Sequence, residues 1–499
     1  MKKNTTGGPD TAAPLVSAVR AGDAEAVADL LWAGADPDAR DGNGTPALCL
    51  AIEAYADDVV RLLAEHGADP VRTGPDGVSP LRGAVDSGSP AVVEALLHDT
   101  AHWRRHREAE LLEARDLAGH WYGTGVEAEL RRRTGARGAV TRTRVEDDEF
   151  DEADEYALGG ATARDGHAAI LTRLEAVLGI RTPFGELLDR AMAHPDQQHV
   201  VWTGSTLLLS HRRDQETRDA AVALCTGPDP VHRLFGAEVL RLTHLFDDSD
   251  EDRFAGPALE LFLDRSARER DGAVLAEVLT GLAEHADPRG DAALLPHAAH
   301  PDRRVRHAVA FGFDRWAPVF APAVRRALLD LMADPDADVR QGACRTVADG
   351  RDRAPELADA MAALLDDESR PVRVAAVHGL ARHDDERCVE GARRLPPALP
   401  GTPYEYDLDE VRRHELRRDA SVPRPEDPLG PWAPRHEAGE STDRCGARPA
   451  AERVRREVRP ALHRGAMPPG RCLQAGDRPA RVPGCRARRD VREPWRRGP

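Results

Sequence analysis

Lysine is nearly missing from this chain: Lys2 and Lys3 are the only two, and the other 67 basic residues are arginines. That excludes a phosphate-binding loop ending in GK[ST], a kinase-type strand lysine and a pyridoxal Schiff base, each of which needs a lysine inside a folded element. Aromatic residues are scarce at 4%, which argues against an aromatic-rich β-sandwich or barrel, while abundant Ala, Leu, Arg and Glu favour many short helices. No run approaches the roughly 20 apolar residues of a membrane span, and Met1–Gly8 leads into no apolar segment of the signal-peptide kind. A soluble, cytoplasmic protein is the expectation. The cysteines Cys49, Cys225, Cys344, Cys388, Cys445, Cys472 and Cys485 are odd in number and never stand in a CxxC pair, so reduced thiols are expected rather than a disulfide framework or zinc knuckle. GxSxG and HExxH are also missing.

Length is present in excess. At 499 residues the chain passes the size at which one core stops growing, so several domains or a repeat array are expected. Charge is distributed unevenly. Residues 421–499 hold 18 Arg, 10 acids and 13 Pro, with no Ile, Phe, Tyr, Asn or Lys, for a net +8; of the chain's −17 this leaves −25 on residues 1–420. Such a tail cannot build a core and is read as disordered. Its loss of every upstream periodicity is also what an out-of-frame reading of a GC-rich gene would give. Over Glu146–Tyr156, eight acids fall in eleven residues, and self-repulsion predicts an extended, solvated linker over 137–165.

Between residues 12 and 135 the sequence repeats with a period of 33. Leu15, Leu48 and Leu81 superpose, as do Ala18, Ala51 and Ala84; Val27, Val60 and Val93; and Leu30, Leu63 and Leu96. The apolar spacing within each unit predicts two short helices, and Gly34-Ala35-Asp36-Pro37 and Gly67-Ala68-Asp69-Pro70 close two of the units. With Gly77-Val78-Ser79-Pro80-Leu81 close to GxTPLHxA, this block resembles the ankyrin repeat, with Arg82 and Cys49 where histidine is usual. Thr45-Pro46 sits one residue early against that pattern, which puts the polar bonding at the start of that helix in question. Leu117 and Val126 continue two columns into a degenerate fourth unit, and Arg131, Arg132 and Arg133 give it the polar exterior of a capping repeat.

A second grammar governs residues 166–420. Pro301–Arg306, Pro335–Arg340 and Glu368–Arg373 each place a turn before Val-Arg, with the valines 34 and 33 residues apart. Each segment joins two amphipathic helices, as in Ala323–Met332 and Val339–Ala348, and Val274, Val231 and Val200 extend the series back to six helix pairs across an insertion at Phe246–Gly256. Leu408–Arg418 adds a last helix. The pattern looks like HEAT repeats, including the HEAT-like repeats of bilin lyases. Arg306, Arg340 and Arg373 are read as bonding aspartates of their own or neighbouring turns and holding the stack together.

The fold expected is all-α: an ankyrin-like stack over 12–135, an acidic linker over 137–165, a HEAT-like array over 166–420 and a disordered tail over 421–499. No constellation carries chemistry. His98, His102 and His106 share a helix face but stand among Arg104, Arg105 and Arg107; Gly123–Ala128 matches GxGxx[GA] without a preceding strand; His383–Glu386 reads as a turn; and Gly204-Ser205-Thr206 lies in a helical run. No catalytic residue, cofactor or metal is expected. The chain is therefore read as a non-catalytic adaptor that binds protein or peptide partners, a basic one being favoured by the acidic body. The ankyrin resemblance places contacts at turn tips and first helices: Arg40, Asp41, Asn43, Tyr55, Arg72, Thr73, Asp76 and Arg82. The HEAT resemblance places them on second helices: His307, Gln341, Arg345 and His378. The competing readings are a HEAT-like enzyme, such as a bilin lyase or DNA glycosylase, and nucleic-acid binding through the arginine-rich tail.

Overall fold

The computed structural model describes residues 12–247, 253–396 and 403–418. The tail read as disordered, with Cys445, Cys472 and Cys485, lies outside the described residues, as does the middle of the Phe246–Gly256 insertion. The chain forms two compact units that divide between Ala327 and Leu328.

The first unit opens with three helix pairs: α1 (Ala12–Ala21) with α2 (Ala24–Trp32), α3 (Ala47–Glu53) with α4 (Asp57–Glu65), and α5 (Pro80–Ser87) with α6 (Pro90–Leu96). The repeating columns explain the packing. Leu15, Leu48 and Leu81, and Val27, Val60 and Val93, are buried to within 3% exposure, so each position that recurs every repeat meets its counterpart in the next. Gly34 and Gly67 turn the chain out of α2 and α4 with φ of +94° and +91°, conformations that a side chain would strain. The capping follows the sequence departures. Ser79 accepts the Arg82 amide at the start of α5, whereas α3 starts at Pro46 without a side-chain cap.

After α7 (Thr100–His106), α8 (Glu108–Thr124) and α9 (Val126–Thr134) form a helix pair over the segment expected as a degenerate fourth unit. Its arginines are not simply a wet exterior: Arg132 and Arg133 enclose the buried Glu129 at 2.6 and 2.7 Å, and Arg133 also holds Asp86 at 2.7 Å. Their hydrogen bonds, that of Arg132 foremost, hold the Glu129 carboxyl far below its ordinary value.

The acidic linker expected over 137–165 is instead an antiparallel sheet of β1 (Thr141–Glu146), β2 (Glu152–Leu158) and β3 (Ala161–Arg164), ordered β1-β2-β3. Repulsion does not extend the segment because arginines neutralise it. Arg142 opposes Tyr156 and reaches Asp154 at 2.9 Å, Arg144 reaches Glu152 at 2.7 Å, and Arg164 holds Asp147 at 2.8 Å. The sheet binds what flanks it in sequence. Asp147 accepts the Ala91 amide at 2.9 Å, and the Glu152 amide donates to the Gln198 carbonyl at 2.8 Å.

Beyond it come α10 (His167–Val177) and four pairs: α11 (Phe184–Met192) with α12 (Val200–Ser210), α13 (Gln215–Cys225) with α14 (Pro230–Leu245), α15 (Ala255–Arg268) with α16 (Gly272–Glu284), and α17 (Gly290–Leu294) with α18 (Arg303–Gly312). One apolar core runs from Leu15 to Val177, so α10 packs on α8 as part of the ankyrin side. Helix α19 (Pro322–Leu331) holds the division between the units, which thus falls inside the HEAT-like stretch. The second unit contains α20 (Ala337–Asp349), α21 (Pro355–Ala363), α22 (Arg370–Arg382), α23 (Arg387–Arg393) and α24 (Pro403–Arg418). Two of the three turns carry a side-chain cap: Asp302 accepts the Arg304 amide, and Asp336 those of Asp338 and Val339, whereas Ser369 makes no side-chain cap at the start of α22.

Candidate functional site

The turn tips of the ankyrin units are built by aspartates. Asp41 accepts the Asn43 and Thr45 amides at 2.9 and 2.8 Å and pairs with Arg20 of the preceding unit. The Thr45 amide first, then that of Asn43 and the Arg20 charge, hold its carboxyl below the ordinary range against partial desolvation. Asp76 accepts the Val78 amide at 3.0 Å in the next tip. The tips are laced to one another. Arg40 donates to Gly44 at 2.6 Å and reaches the Thr73 carbonyl at 3.5 Å, Asp38 accepts the Asp69 amide at 2.9 Å, and Arg72 pairs with Asp38 at 3.2 Å. Arg40, Asn43, Arg72, Thr73, Asp76 and Arg82 are exposed, so mixed charge is presented on a fixed backbone.

Tyr55 does not join them. Its φ is +54°, its hydroxyl donates to the Ser87 carbonyl at 3.4 Å, and the Arg164 guanidinium lies 3.9 Å over its ring. The sheet partly covers the residue that the ankyrin resemblance offers as a contact.

The four HEAT positions differ in the same way. His307 is half-buried and lies 4.8 Å from the Phe311 ring. Gln341 and His378 are buried at 2% and 4% exposure. Arg345 holds the Asp407 carboxylate of α24 at 2.6 and 3.3 Å, and His378 stands 3.5 Å from it. In the second unit, the chain's own α24 packs on α22, and its Asp407 engages Arg345 and lies beside His378, two of the positions expected to face a partner. A helix over 408–418 is legible in the sequence; its docking through Asp407, one residue earlier, is not.

The Val-Arg grammar has a clear geometric meaning. Arg306, Arg340 and Arg373 each reach back to the two carbonyls five and six residues before, at 2.6 to 3.0 Å, and Arg233 does the same at 2.7 and 3.2 Å. Arg340 also bridges to Asp367 in the following turn, and Arg233 to Glu269, each with two hydrogen bonds. These arginines act in stacking.

Two buried polar groupings escape the sequence reading. In the first, Glu238 of α14 accepts from Gln197, Trp202 and Thr206 at 2.7, 2.8 and 3.0 Å, while Arg241 donates to Glu277 and Glu284 of α16 at 2.5 and 3.0 Å. Burial, and then the Glu277 charge, push the Glu238 carboxyl up to about 7. Lone acids inside the apolar runs Phe235–Leu242 and Ala273–Leu282 are the signal that could have found it. In the second, Asp165 follows β3, His194 follows α11, and His199 caps α12. His199 Nε2 lies 3.1 Å from Asp165 Oδ1, His194 Nδ1 lies 3.7 Å from Oδ2, and the two imidazoles stack at 4.0 Å. Burial, and the neighbouring His199, lower His194 to about 4. Burial raises the Asp165 carboxyl, but the His199 hydrogen bond and charge with the Asp154 amide carry it below its ordinary value.

The constellations judged inert hold their structural places. His98, His102 and His106 are exposed, Gly123–Ala128 turns α8 into α9, and His383 Nε2 donates to the Val347 carbonyl, 3.2 Å away, in a turn. Cys49, Cys225, Cys344 and Cys388 are free thiols, pushed up to about 11 or 12 by burial. No helix among the described residues is long and apolar enough to cross a membrane.

Among curated proteins none matches the chain. Among solved structures it is similar to YibA of Escherichia coli, at 19% identity over 46% of this chain and 81% of that one, with a TM-score of 0.37. It is also similar to an engineered protein at 14% identity over 81% and 98% of the two chains, with a TM-score of 0.35. Neither likeness bears on the fold at these scores. The family models match where the two periodicities lie: residues 15–106 are ankyrin repeats in three copies, and residues 325–395 are HEAT repeats.

Proposed function

We propose that the chain is a non-catalytic, cytoplasmic adaptor that binds a protein or peptide partner on its ankyrin turn tips, with the sheet as a brace between residues 12–135 and the HEAT-like stretch from 166. The observation that supports it most is the lacing of the tips. Arg40, Asn43, Arg72, Thr73, Asp76 and Arg82 are exposed, while the backbone beneath them is tied within and between repeats. Such a surface loses little freedom on association, and many modest contacts across repeats add up to affinity. The −25 carried by residues 1–420 favours a basic partner whose association weakens with salt. Tyr55 drops out of the contact set, and Gln341, Arg345 and His378 join it only where α24 leaves the face.

The test is affinity purification from the native host with the full chain as bait, beside a full chain carrying Arg40→Glu, Arg72→Glu and Asp76→Arg. A stable protein partner lost with the triple variant is the expected result. Recovery of only nucleic acid or a small molecule would overturn the adaptor reading. A partner retained in full by the variant would move recognition away from the tips.

A further inference from the structure

We propose that Asp165, His194 and His199 form a binding site for a divalent transition-metal ion of the zinc class. Among the described residues they are the group whose ligating atoms converge, all within 4.8 Å of one another. Three separate elements deliver them: the end of the sheet, the end of α11 and the start of α12. The Asp165 and His199 side chains are 6% and 1% exposed, and that of His194 is 23% exposed. The site is thus built into the junction rather than laid on a surface.

The second, independent observation is the state of Asp165. Its Oδ1 accepts the Asp154 amide at 2.9 Å and faces His199 Nε2 at 3.1 Å. Its Oδ2 is buried and takes no hydrogen bond; the nearest ring nitrogen, His194 Nδ1, stands 3.7 Å away. A buried carboxylate oxygen without a donor is costly and rare. A cation seated between that oxygen and the two imidazoles supplies what it lacks.

Spacing and chemistry select the ion. Donors bound at about 2.0–2.2 Å in a tetrahedron lie roughly 3.3–3.6 Å apart; His194 Nδ1 stands 3.7 Å from Oδ2, His199 Nε2 stands 3.1 Å from the other oxygen, Oδ1, and the donor set spans up to 4.8 Å, so the stacked rings must turn toward the ion when it binds. Two imidazole nitrogens and one carboxylate oxygen suit zinc and its neighbours, whereas calcium and magnesium call for oxygen throughout. Three protein donors leave a fourth position for water, and the partly exposed His194 ring marks the way in. Arg142, whose guanidinium charge acts on His194, is paired with Asp154.

Coordination differs from a plain structural hydrogen bond in one respect. His199 Nδ1 accepts the Val201 amide at 3.2 Å as the cap of α12, which places the ring proton on Nε2. A metal on Nε2 requires that proton on Nδ1, so the Val201 cap opens when the ion binds.

The full-length protein, stripped with chelator, is titrated with zinc alone by calorimetry and with cobalt for its visible ligand-field spectrum. One zinc per chain is expected, with tetrahedral cobalt bands and faster hydrogen exchange at the Val201 amide. His194→Gln and Asp165→Asn should each weaken binding at least about tenfold, and His102→Gln should leave it unchanged. If Asp165→Asn fails to fold, His194→Gln decides, because that ring is partly exposed and caps no helix. Absence of stoichiometric zinc binding, binding unaltered in His194→Gln, or binding lost in His102→Gln instead would each overturn the site.

Discussion

Arg340 joins two consecutive turns of the second unit to Asp367: its Nη1 donates to the Asp334 and Pro335 carbonyls, and its Nε and Nη2 grip the Asp367 carboxylate at 2.7 and 2.9 Å. The pair is nearly buried, at 11% and 8% side-chain exposure. One guanidinium therefore satisfies the turn before its own helix and fixes the next repeat upon it. Lysine keeps the charge but cannot present the fork. Arg340→Lys should lower stability by about 1–3 kcal/mol, read by urea unfolding. An unchanged midpoint would mean that the apolar stack alone sets the repeat spacing.

Gly88 and Gly166 let the sheet approach the third ankyrin unit. The Gly166 amide donates to the Gly88 carbonyl at 3.1 Å, and a Cβ on Gly88 would stand 1.9 Å from the Arg164 carbonyl oxygen. Gly88 also has φ of +69°, close to the +65° of Gly22, whose Cβ would meet nothing within 4 Å. Gly22→Ala should thus cost only the backbone strain, about 1 kcal/mol, and Gly88→Ala at least about 2 kcal/mol more. Equal thermal shifts in the two variants would show that the junction yields.

This junction marks where legibility in the sequence ended. Leu15, Leu48 and Leu81 could be read because a fixed period repeats the same local answer, and Val305, Val339 and Val372 for the same reason. The sheet could not, because eight acids in eleven residues outweigh any pattern until Arg142, Arg144 and Arg164 are known to lie across from them. Asp165, His194 and His199 follow no motif spacing; they meet only because the sheet, α11 and α12 do. Tyr55 and Arg345 follow from position in the repeat, yet their surroundings are supplied by Arg164 and Asp407, which the repeating columns do not include.

Glu238 should make stability depend on pH. Burial and Glu277 raise its carboxyl from 4.5 to about 7 in the folded chain, so the folded state binds more protons than the unfolded one between those values. Its stability contribution is full below the unfolded value and is lost as pH rises through the folded one. Unfolding free energy should then fall between about pH 4.5 and 7, by at most about 3 kcal/mol from this group. Glu238→Gln keeps an acceptor for Gln197 and Trp202 and a donor for Thr206, and should flatten that slope and stabilise the protein at pH 8. A slope retained in the variant would assign it to other groups.

Arg164 is the link through which the sheet partly covers Tyr55. It holds Asp147, 1% exposed, at 2.8 Å, while that carboxylate also accepts the Ala91 amide of α6 at 2.9 Å. Arg164→Ala leaves a buried charge with the amide alone and should cost about 3–5 kcal/mol. Asp147→Asn in the same background should restore about 1–2 kcal/mol of it, because the neutral amide is cheaper to bury. The Tyr55 contact is separable. Tyr55→Leu alone removes the ring beneath the guanidinium, and a double-mutant cycle with Arg164→Ala should give a coupling of about 1–2 kcal/mol, the range of a desolvated cation–π contact. Zero coupling would mean that Arg164 lies over the ring without an energetic contribution from the contact.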